Sequence, residues 1–76
     1  MKIQYDREAD ALYIQIRQGK AHHAVDVEDA RGLTIDVDKD GMPLGIEILK
    51  ASQLLGPELG RITVEDLLVT HPEKAE

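Results

Sequence analysis

A run of carboxylates in the middle of the chain has the residue types and spacing of a calcium-binding loop. The run Asp36-Val37-Asp38-Lys39-Asp40-Gly41, followed by Glu47, matches the pattern D-x-D-x-D-G-x5-E at every specified position. In such a loop the carboxylates surround the ion, the glycine makes a sharp turn, and the last glutamate binds through both oxygens. Calcium binding is therefore the first chemistry that the sequence raises.

The residues around this run predict strands, whereas a calcium loop of this type lies between two helices. Apolar and polar residues alternate with period two on both sides of the run, which is typical of strands. Pro43 lies where the calcium loop needs a backbone N–H, and Asp40-Gly41 is a common hairpin dipeptide. We therefore predict a β-hairpin over 33–49 with a solvated acidic turn. Weak cation binding by Asp38 and Asp40 is the alternative.

Other side chains with chemical potential are few and separated in sequence. His22 and His23 are adjacent, so on a strand they would face opposite sides, and a metal site needs ligands that converge. Asp6, Glu8 and Asp10 could supply a carboxylate pair for acid–base catalysis, but carboxylates in a turn are usually solvated.

Nucleophiles are also scarce. The chain has no cysteine, and its only serine, Ser52, lies in a predicted helix with no His or Asp at a telling spacing. His71 is distant from the other histidines, and no Gly-rich phosphate loop is present. A chain of 76 residues can hardly enclose a catalytic pocket by itself. We therefore predict that the protein is not an enzyme and has no catalytic, cofactor-binding or metal-ligating residues.

Short strands with short connectors must position these residues. Besides the two hairpin strands, the alternation predicts strands over 2–5, 11–17 and 22–27, the last of which is weak enough for a sheet edge. The connectors are too short for the crossovers that parallel strands need, so the sheet should be antiparallel. Helix formers over 49–55 predict a helix that ends at Gly56-Pro57. Thr63 as an N-cap, with Ile62 and Leu67 as a hydrophobic staple, predicts a second short helix.

These elements predict an α+β fold in a single domain over 1–76. The fold is a small twisted antiparallel β-meander of four to five strands, covered on its apolar face by C-terminal helical segments. We expect the apolar strand positions to form the core and four leucines of the helices to cap it. The core set is Ile3, Leu12, Ile14, Ile16, Val25, Val27, Leu33, Ile35, Val37, Leu44, Ile46 and Ile48, and the cap is Leu54, Leu55, Leu67 and Leu68.

Composition restricts the partners of the protein. The net charge is −6, and residues 26–40 hold six acids against two bases. Such a surface repels nucleic acid, and with no Phe or Trp there are few aromatic platforms for bases. The absence of cysteine and of a long apolar run predicts a soluble, cytoplasmic protein. A core this small also favours self-association, for which Tyr13 and Ala24 on the second sheet face and the weak edge strand are candidates.

Three blocks of sequence carry a resemblance. They occur in one order within residues 1–53: Tyr5-Asp6-x-Glu8-Ala9-Asp10-Ala11-Leu12-Tyr13-Ile14, then Asp36-x-Asp38-x-Asp40-Gly41, then Gly45-Ile46-Glu47-Ile48-Leu49-x-Ala51-Ser52. Together they resemble the small prokaryotic family called domain of unknown function 2283. The resemblance implies a compact antiparallel sheet with a following helix, and it brings no established activity, cofactor or catalytic residue. Members are suspected of acting as antitoxin-like partners of small RNase-type toxins. Residues 54–76 lie outside the resemblance.

Two hypotheses for function follow. The first is a non-enzymatic protein-interaction module, acting as a homo-oligomer or as the acidic partner of a basic protein, with an antitoxin against a cationic ribonuclease as its narrower form. The second is a small-ligand or metal-binding domain with a site between subunits, built from the acids of the 36–40 turn. Neither hypothesis involves a membrane, a cofactor or direct binding of nucleic acid.

Overall fold

A computed structural model describes residues 1–65. These residues form one five-stranded antiparallel sheet followed by a short helix, which confirms the predicted α+β class. The strands are β1 (Lys2–Asp6), β2 (Ala11–Gln15), β3 (His23–Asp26), β4 (Leu33–Val37) and β5 (Pro43–Leu49). Helix α1 (Ala51–Leu55) and a 3-10 turn (Gly56–Gly60) complete the chain order. In this part of the chain no helix is long and apolar enough to cross a membrane.

The order of the strands in the sheet differs from that of a simple meander. The spatial order is β1-β2-β5-β4-β3, so the last of the strands within residues 1–65 lies in the centre. With seven residues β5 is the longest strand, and it pairs with both β2 and β4. Central placement gives its backbone hydrogen-bonding partners on both sides. The short strand β3 lies at an edge, as its weak alternation predicted.

Because β5 separates β2 from β4, the connector over 16–22 has to pass to the far edge of the sheet. Its two ends are tied to the sheet by backbone hydrogen bonds, from Ile16 N–H to the Leu44 carbonyl at 2.7 Å and from His22 N–H to the Val37 carbonyl at 2.8 Å. The Arg17 guanidinium also forms an ion pair of 2.7 Å with Asp38 in the β4–β5 turn. The connector is therefore held at the turn end of the central hairpin.

The turn between β4 and β5 has the conformation that its sequence predicts. One carboxylate oxygen of Asp38 accepts hydrogen bonds from the backbone N–H groups of Asp40, at 2.8 Å, and Met42, at 2.9 Å. The Gly41 N–H donates to the Asp38 carbonyl at 3.0 Å, and Gly41 has a φ of 82°. The side chain of Asp38 thus replaces a strand partner for two turn amides, and glycine supplies the left-handed residue.

Replacing Gly41 by valine should destabilise the protein by about 1–2 kcal/mol, because a β-branched residue is strained at positive φ. A Cβ at Gly41 would meet no atom within 4 Å, so the whole effect should come from the backbone. Gly41→Asn is the matched control, since asparagine tolerates the left-handed region and should cost less. Chemical denaturation measures both variants. Equal stabilities of wild type and Gly41→Val would show that residue 41 does not adopt this conformation in solution.

Helix α1 is placed at the end of the sheet where β1 turns into β2. The strand continues to Leu49, and Lys50 has a left-handed φ of 53°, so the helix begins two residues later than predicted. Ala51 is fully buried, and its N–H donates to the Asp10 carbonyl at 2.9 Å. The α-helix ends at Leu55 with Gly56 as its C-cap, as predicted, and a 3-10 turn follows directly. Proline is tolerated in a first turn, where its missing N–H would have no partner.

The core is much smaller than predicted. Among residues 1–65 the buried apolar side chains are Ala11, Val37, Leu44 and Ala51, and only two of these belong to the predicted set. The reason is that α1 is held at the end of the sheet through Asp10, and its residues after Ala51 are exposed or half-buried instead of covering the strands. Leu54, predicted to cap the sheet, is 59 % exposed. Residues 62–65 have no regular structure, and the rest of the predicted second helix, with Leu67 and Leu68, lies outside the described residues.

Candidate functional site

The carboxylates of the calcium-like pattern do not converge. Asp36 lies on β4, where one of its oxygens accepts the Tyr13 hydroxyl at 3.1 Å, while Glu47 lies on β5 opposite Thr34. Asp38 is occupied by Arg17 and by the turn amides. The hydrogen bond from Arg17 is the main reason that the pKa of Asp38 is lowered. The calcium-like pattern therefore forms a hairpin turn, and the contact between Asp38 and Arg17 links this turn to the connector over 16–22.

Calcium at millimolar concentration should leave the melting temperature within about 1 °C of its value in chelator, because the pattern's carboxylates are spread over a hairpin instead of surrounding an ion. Thermal denaturation followed by circular dichroism is the measurement. Asp40→Ala is a useful companion variant, since the described contacts of Asp40 involve only its backbone. A rise of several degrees that Asp40→Ala abolishes would contradict this interpretation.

The two adjacent histidines come together, contrary to the sequence argument. His22 precedes β3 instead of lying on it, so its ring is free to turn towards His23, and the two Nδ1 atoms are 3.0 Å apart. One ring must donate and the other accept for this contact to be a hydrogen bond. Within residues 1–65 no group of three or more His, Asp or Glu side chains could hold a metal ion.

Asp10 connects three parts of the fold that are distant in sequence. Its carboxylate accepts the Tyr5 hydroxyl at 2.7 Å, the Ser52 N–H at 2.9 Å and the Ser52 hydroxyl at 2.6 Å. We call Tyr5, Asp10 and Ser52 the Asp10 cluster. The bonds from Ser52 are the largest cause of the lowered pKa of Asp10, and the bond to Asp10 raises the pKa of Tyr5.

The Asp10 cluster holds α1 against the first hairpin. Asp10 itself has a left-handed φ of 52°, which only a few residue types tolerate. Sequence reasoning found no acid near Ser52, because 42 residues separate the two side chains. A carboxylate does lie beside the serine hydroxyl, but three donors hold it and lower its pKa, which makes Asp10 a weak base for activating a nucleophile. Asp6, another acid of this region, caps the turn by accepting the N–H groups of Glu8 and Ala9.

Nine uncharged side chains that are not buried lie on one surface of the sheet, which we call the apolar face; Val37 and Leu44 continue the same alternation at its turn end and are buried. Its middle row crosses all five strands, because each member pairs directly with the next across the sheet. None of the nine is buried, and the members on the edge strands are 38–44 % exposed. The row is Ile3, Ile14, Ile46, Ile35 and Val25, and the remaining members are Tyr5, Leu12, Ile48 and Leu33.

The opposite surface is polar and negatively charged. Alternation puts four acids and one base of the strands there, and we call it the acidic face. At its centre the ring of Tyr13 lies across Gly45 and reaches Asp36. Partial burial is the main cause of the raised pKa of Tyr13, followed by the hydrogen bond to Asp36. The charged members are Lys2, Asp6, Asp26, Asp36 and Glu47.

The fold and these surfaces define a small α+β protein whose sheet has one uncharged and one acidic face. A family model described as a protein of unknown function (DUF2283) matches residues 2–52, which include all five strands and the start of α1. The chain belongs to this family. The three sequence blocks noted above lie within this match and contain the Asp10 cluster, the acidic turn and most of the central strand.

One curated relative is an uncharacterized protein of Methanocaldococcus jannaschii. It is 41 % identical over 54 residues, which cover 71 % of this chain and 44 % of the relative. The chain therefore spans less than half the length of that relative. No solved structure matches the chain.

Proposed function

We propose that the protein is a non-enzymatic protein-interaction module and that the apolar face is its binding surface. The observation that carries the proposal is the row of four isoleucines and one valine that crosses the whole sheet without a charge. A folded domain normally covers apolar side chains at central strand positions, but in this row they are partly exposed. Contiguous apolar surface of this kind usually marks a site of interaction.

The size of the face supports an interaction more strongly than it supports an ordinary solvated surface. Strands about 4.8 Å apart and residues rising about 3.3 Å give five strands of five residues a footprint of about 400 Å². At about 25 cal/mol per Å², leaving such an area in water forgoes about 10 kcal/mol, which is comparable to the whole stability of a small domain. Covering the face is therefore the largest single gain available to this chain.

The acidic face supports a narrower form of the proposal. Four acids and one base on this surface, in a chain with a net charge of −6, favour a basic protein partner over a polyanion. An antitoxin-like role, in which the module covers the RNA-binding surface of a cationic ribonuclease, has this chemistry. Titration calorimetry against a small basic protein encoded beside this gene tests it. Binding should weaken steeply with salt, and no binding at low salt would exclude that partner.

The alternative of a metal or ligand site built from the 36–40 acids has less support. Asp38 is already paired with Arg17, and Asp36 with Tyr13. The open hollow beside the turn, of about 470 Å³, is lined by Lys20 and Lys39 as well as by acids, so it does not favour a cation.

Single cysteines test whether the apolar face is open in one chain, and the absence of natural cysteine makes the labelling clean. Val25 and Ala24 are neighbours on β3, both are exposed, and they lie on opposite faces. If the face is an interaction surface, Val25→Cys should react with a maleimide as fast as Ala24→Cys in very dilute protein. Slow labelling of Val25→Cys alone, at every concentration and in a particle with the mass of one chain, would show that the chain covers its own face. That result would overturn the proposed function.

A further inference from the structure

We infer that the apolar face binds a second copy of this chain, so that two sheets pack face to face in a symmetric dimer. This inference rests on the proposed function and names its partner. A two-fold axis brings the same patch of both chains together, so a self-complementary surface is required. A row of aliphatic side chains with no charge meets that requirement, because in the dimer it packs against the same aliphatic row of the second copy.

Charge also favours this arrangement. The acids of the strands lie on the opposite surface, so face-to-face packing turns both acidic faces outward. Packed sheets are about 10 Å apart, and the outward side chains place the two sets of acids about 20 Å from each other. That separation exceeds the Debye length of about 8 Å at physiological salt, so repulsion between the two chains is weak. Packing through the acidic faces would instead oppose like charges directly.

The area agrees with a specific dimer. Two footprints of about 400 Å² each are flat projections, and the uneven surface of the side chains makes the accessible area larger than the projection. The total buried area is therefore near the roughly 1,000 Å² that a biological interface needs. The single chain also needs the cover: within residues 1–65 no large side chain is fully buried. Dimerisation would convert Ile14, Ile35 and Ile46 from partly exposed residues into the centre of a two-layer core.

This inference names a different surface from the one expected from sequence. We predicted association through the second face, with Tyr13 and Ala24, or through the weak edge strand, because the helices were expected to cover the apolar set. Tyr13 instead lies across Gly45 and is bonded to Asp36, so it is part of the intramolecular structure of the acidic face.

Sedimentation of the 76-residue chain tests the inference with two matched pairs of variants. Wild type at micromolar concentration should sediment as two chains of 8.4 kDa, and the dimer should persist or tighten at high salt. Val25→Glu and Ile3→Glu put a carboxylate at the two edges of the apolar face, at positions 44 % and 41 % exposed in one chain. Each should weaken the dimer by about 10-fold or more, because the charge must be desolvated.

The controls are Ala24→Glu and Gln4→Glu, which add the same charge one residue away on the opposite face. They should change the dimer dissociation constant by less than about 3-fold. Circular dichroism shows whether each variant folds. If a glutamate on the apolar face prevents folding, two other measurements still test the inference. These are the sedimentation mass of wild type and the labelling rate of Val25→Cys as a function of protein concentration, since Val25→Cys should become protected as the dimer forms.

The outcomes separate this inference from the proposed function. A particle with the mass of one chain, in which Val25→Cys labels as fast as Ala24→Cys at all concentrations, overturns the second copy but leaves an open interaction surface. A particle of that mass with Val25→Cys always protected overturns both, and the sequence segment after Glu65, which contains Leu67 and Leu68, becomes the cover to test. A dimer weakened equally by both members of each pair also overturns the face-to-face arrangement.

Discussion

Replacing Asp10 by alanine should lower the melting temperature by an amount on the order of 10 °C, more than any other substitution of a single acidic side chain in this protein. Three hydrogen bonds end on its carboxylate, from Tyr5 and from the N–H and hydroxyl of Ser52. Alanine would leave these donors without their partner and would also occupy a left-handed conformation that it disfavours. Since α1 is held to the sheet mainly through this residue, the helix should be lost first.

Two variants separate the contributions to this loss. Asp10→Asn keeps an acceptor for Tyr5 and Ser52 and tolerates the left-handed backbone, so it should lie between wild type and Asp10→Ala. Asp6→Ala removes two turn-capping bonds in the same loop but no bond to α1, and it should cost less than Asp10→Ala. Equal melting temperatures of Asp10→Ala and Asp6→Ala would contradict the role given to the Asp10 cluster.

The hydrogen bonds of Asp10 also predict how the free energy of unfolding depends on pH, including the sign of that dependence. The pKa of Asp10 is lowered in the folded protein, so the unfolded chain binds its proton more readily. The stabilisation is therefore complete above the unfolded pKa of about 3.9 and is lost as pH falls through the folded value. The difference in stability between wild type and Asp10→Asn should be constant near neutral pH and shrink in that acidic range. Urea denaturation as a function of pH measures it.

Local patterns predicted the elements of this fold well because their causes are local. The alternation of apolar residues in β2, β4 and β5 is a property of each strand alone, and the Asp40-Gly41 turn forms from its own side chains and glycine. Strand order was not predictable in this way. Whether β5 pairs with β4 alone or also with β2 depends on pairing between segments far apart in sequence, and no periodicity records that choice.

The candidate surfaces were predicted in part. The members of the apolar face follow from alternation, so Ile14, Ile46 and Val25 were correctly grouped on one face. Within residues 1–65, what did not hold was cover by the first helix, since α1 is too short and is held at the sheet end by Ser52; most of the predicted second helix lies outside the described residues. The family resemblance included Asp10 and Ser52 but did not predict their hydrogen bonds, because this contact exists only after the chain has folded.

The second large effect is expected at Gly45, where a side chain of any size should be damaging. Gly45 is buried in the central strand, and a Cβ built there would overlap the phenol ring and hydroxyl of Tyr13. Gly45→Val would have to displace this ring and break its hydrogen bond to Asp36. Overpacking costs about 1–3 kcal/mol and a lost hydrogen bond about 1 kcal/mol, so we expect a loss of about 2–4 kcal/mol in urea denaturation.

The position of Tyr13 provides both the control and a direct readout for this prediction. Shortening Tyr13 to alanine removes the clash, so Tyr13→Ala should destabilise wild type but cost little more when Gly45→Val is already present. The pKa of Tyr13 is raised in the fold, mainly by burial, and displacement of the ring should lower it towards the usual value near 10. Ultraviolet titration in a Tyr5→Phe background observes Tyr13 alone, since the chain has two tyrosines and no tryptophan. Strictly additive losses in the double variant, with an unchanged titration of Tyr13 in Gly45→Val, would show that the ring does not lie across Gly45.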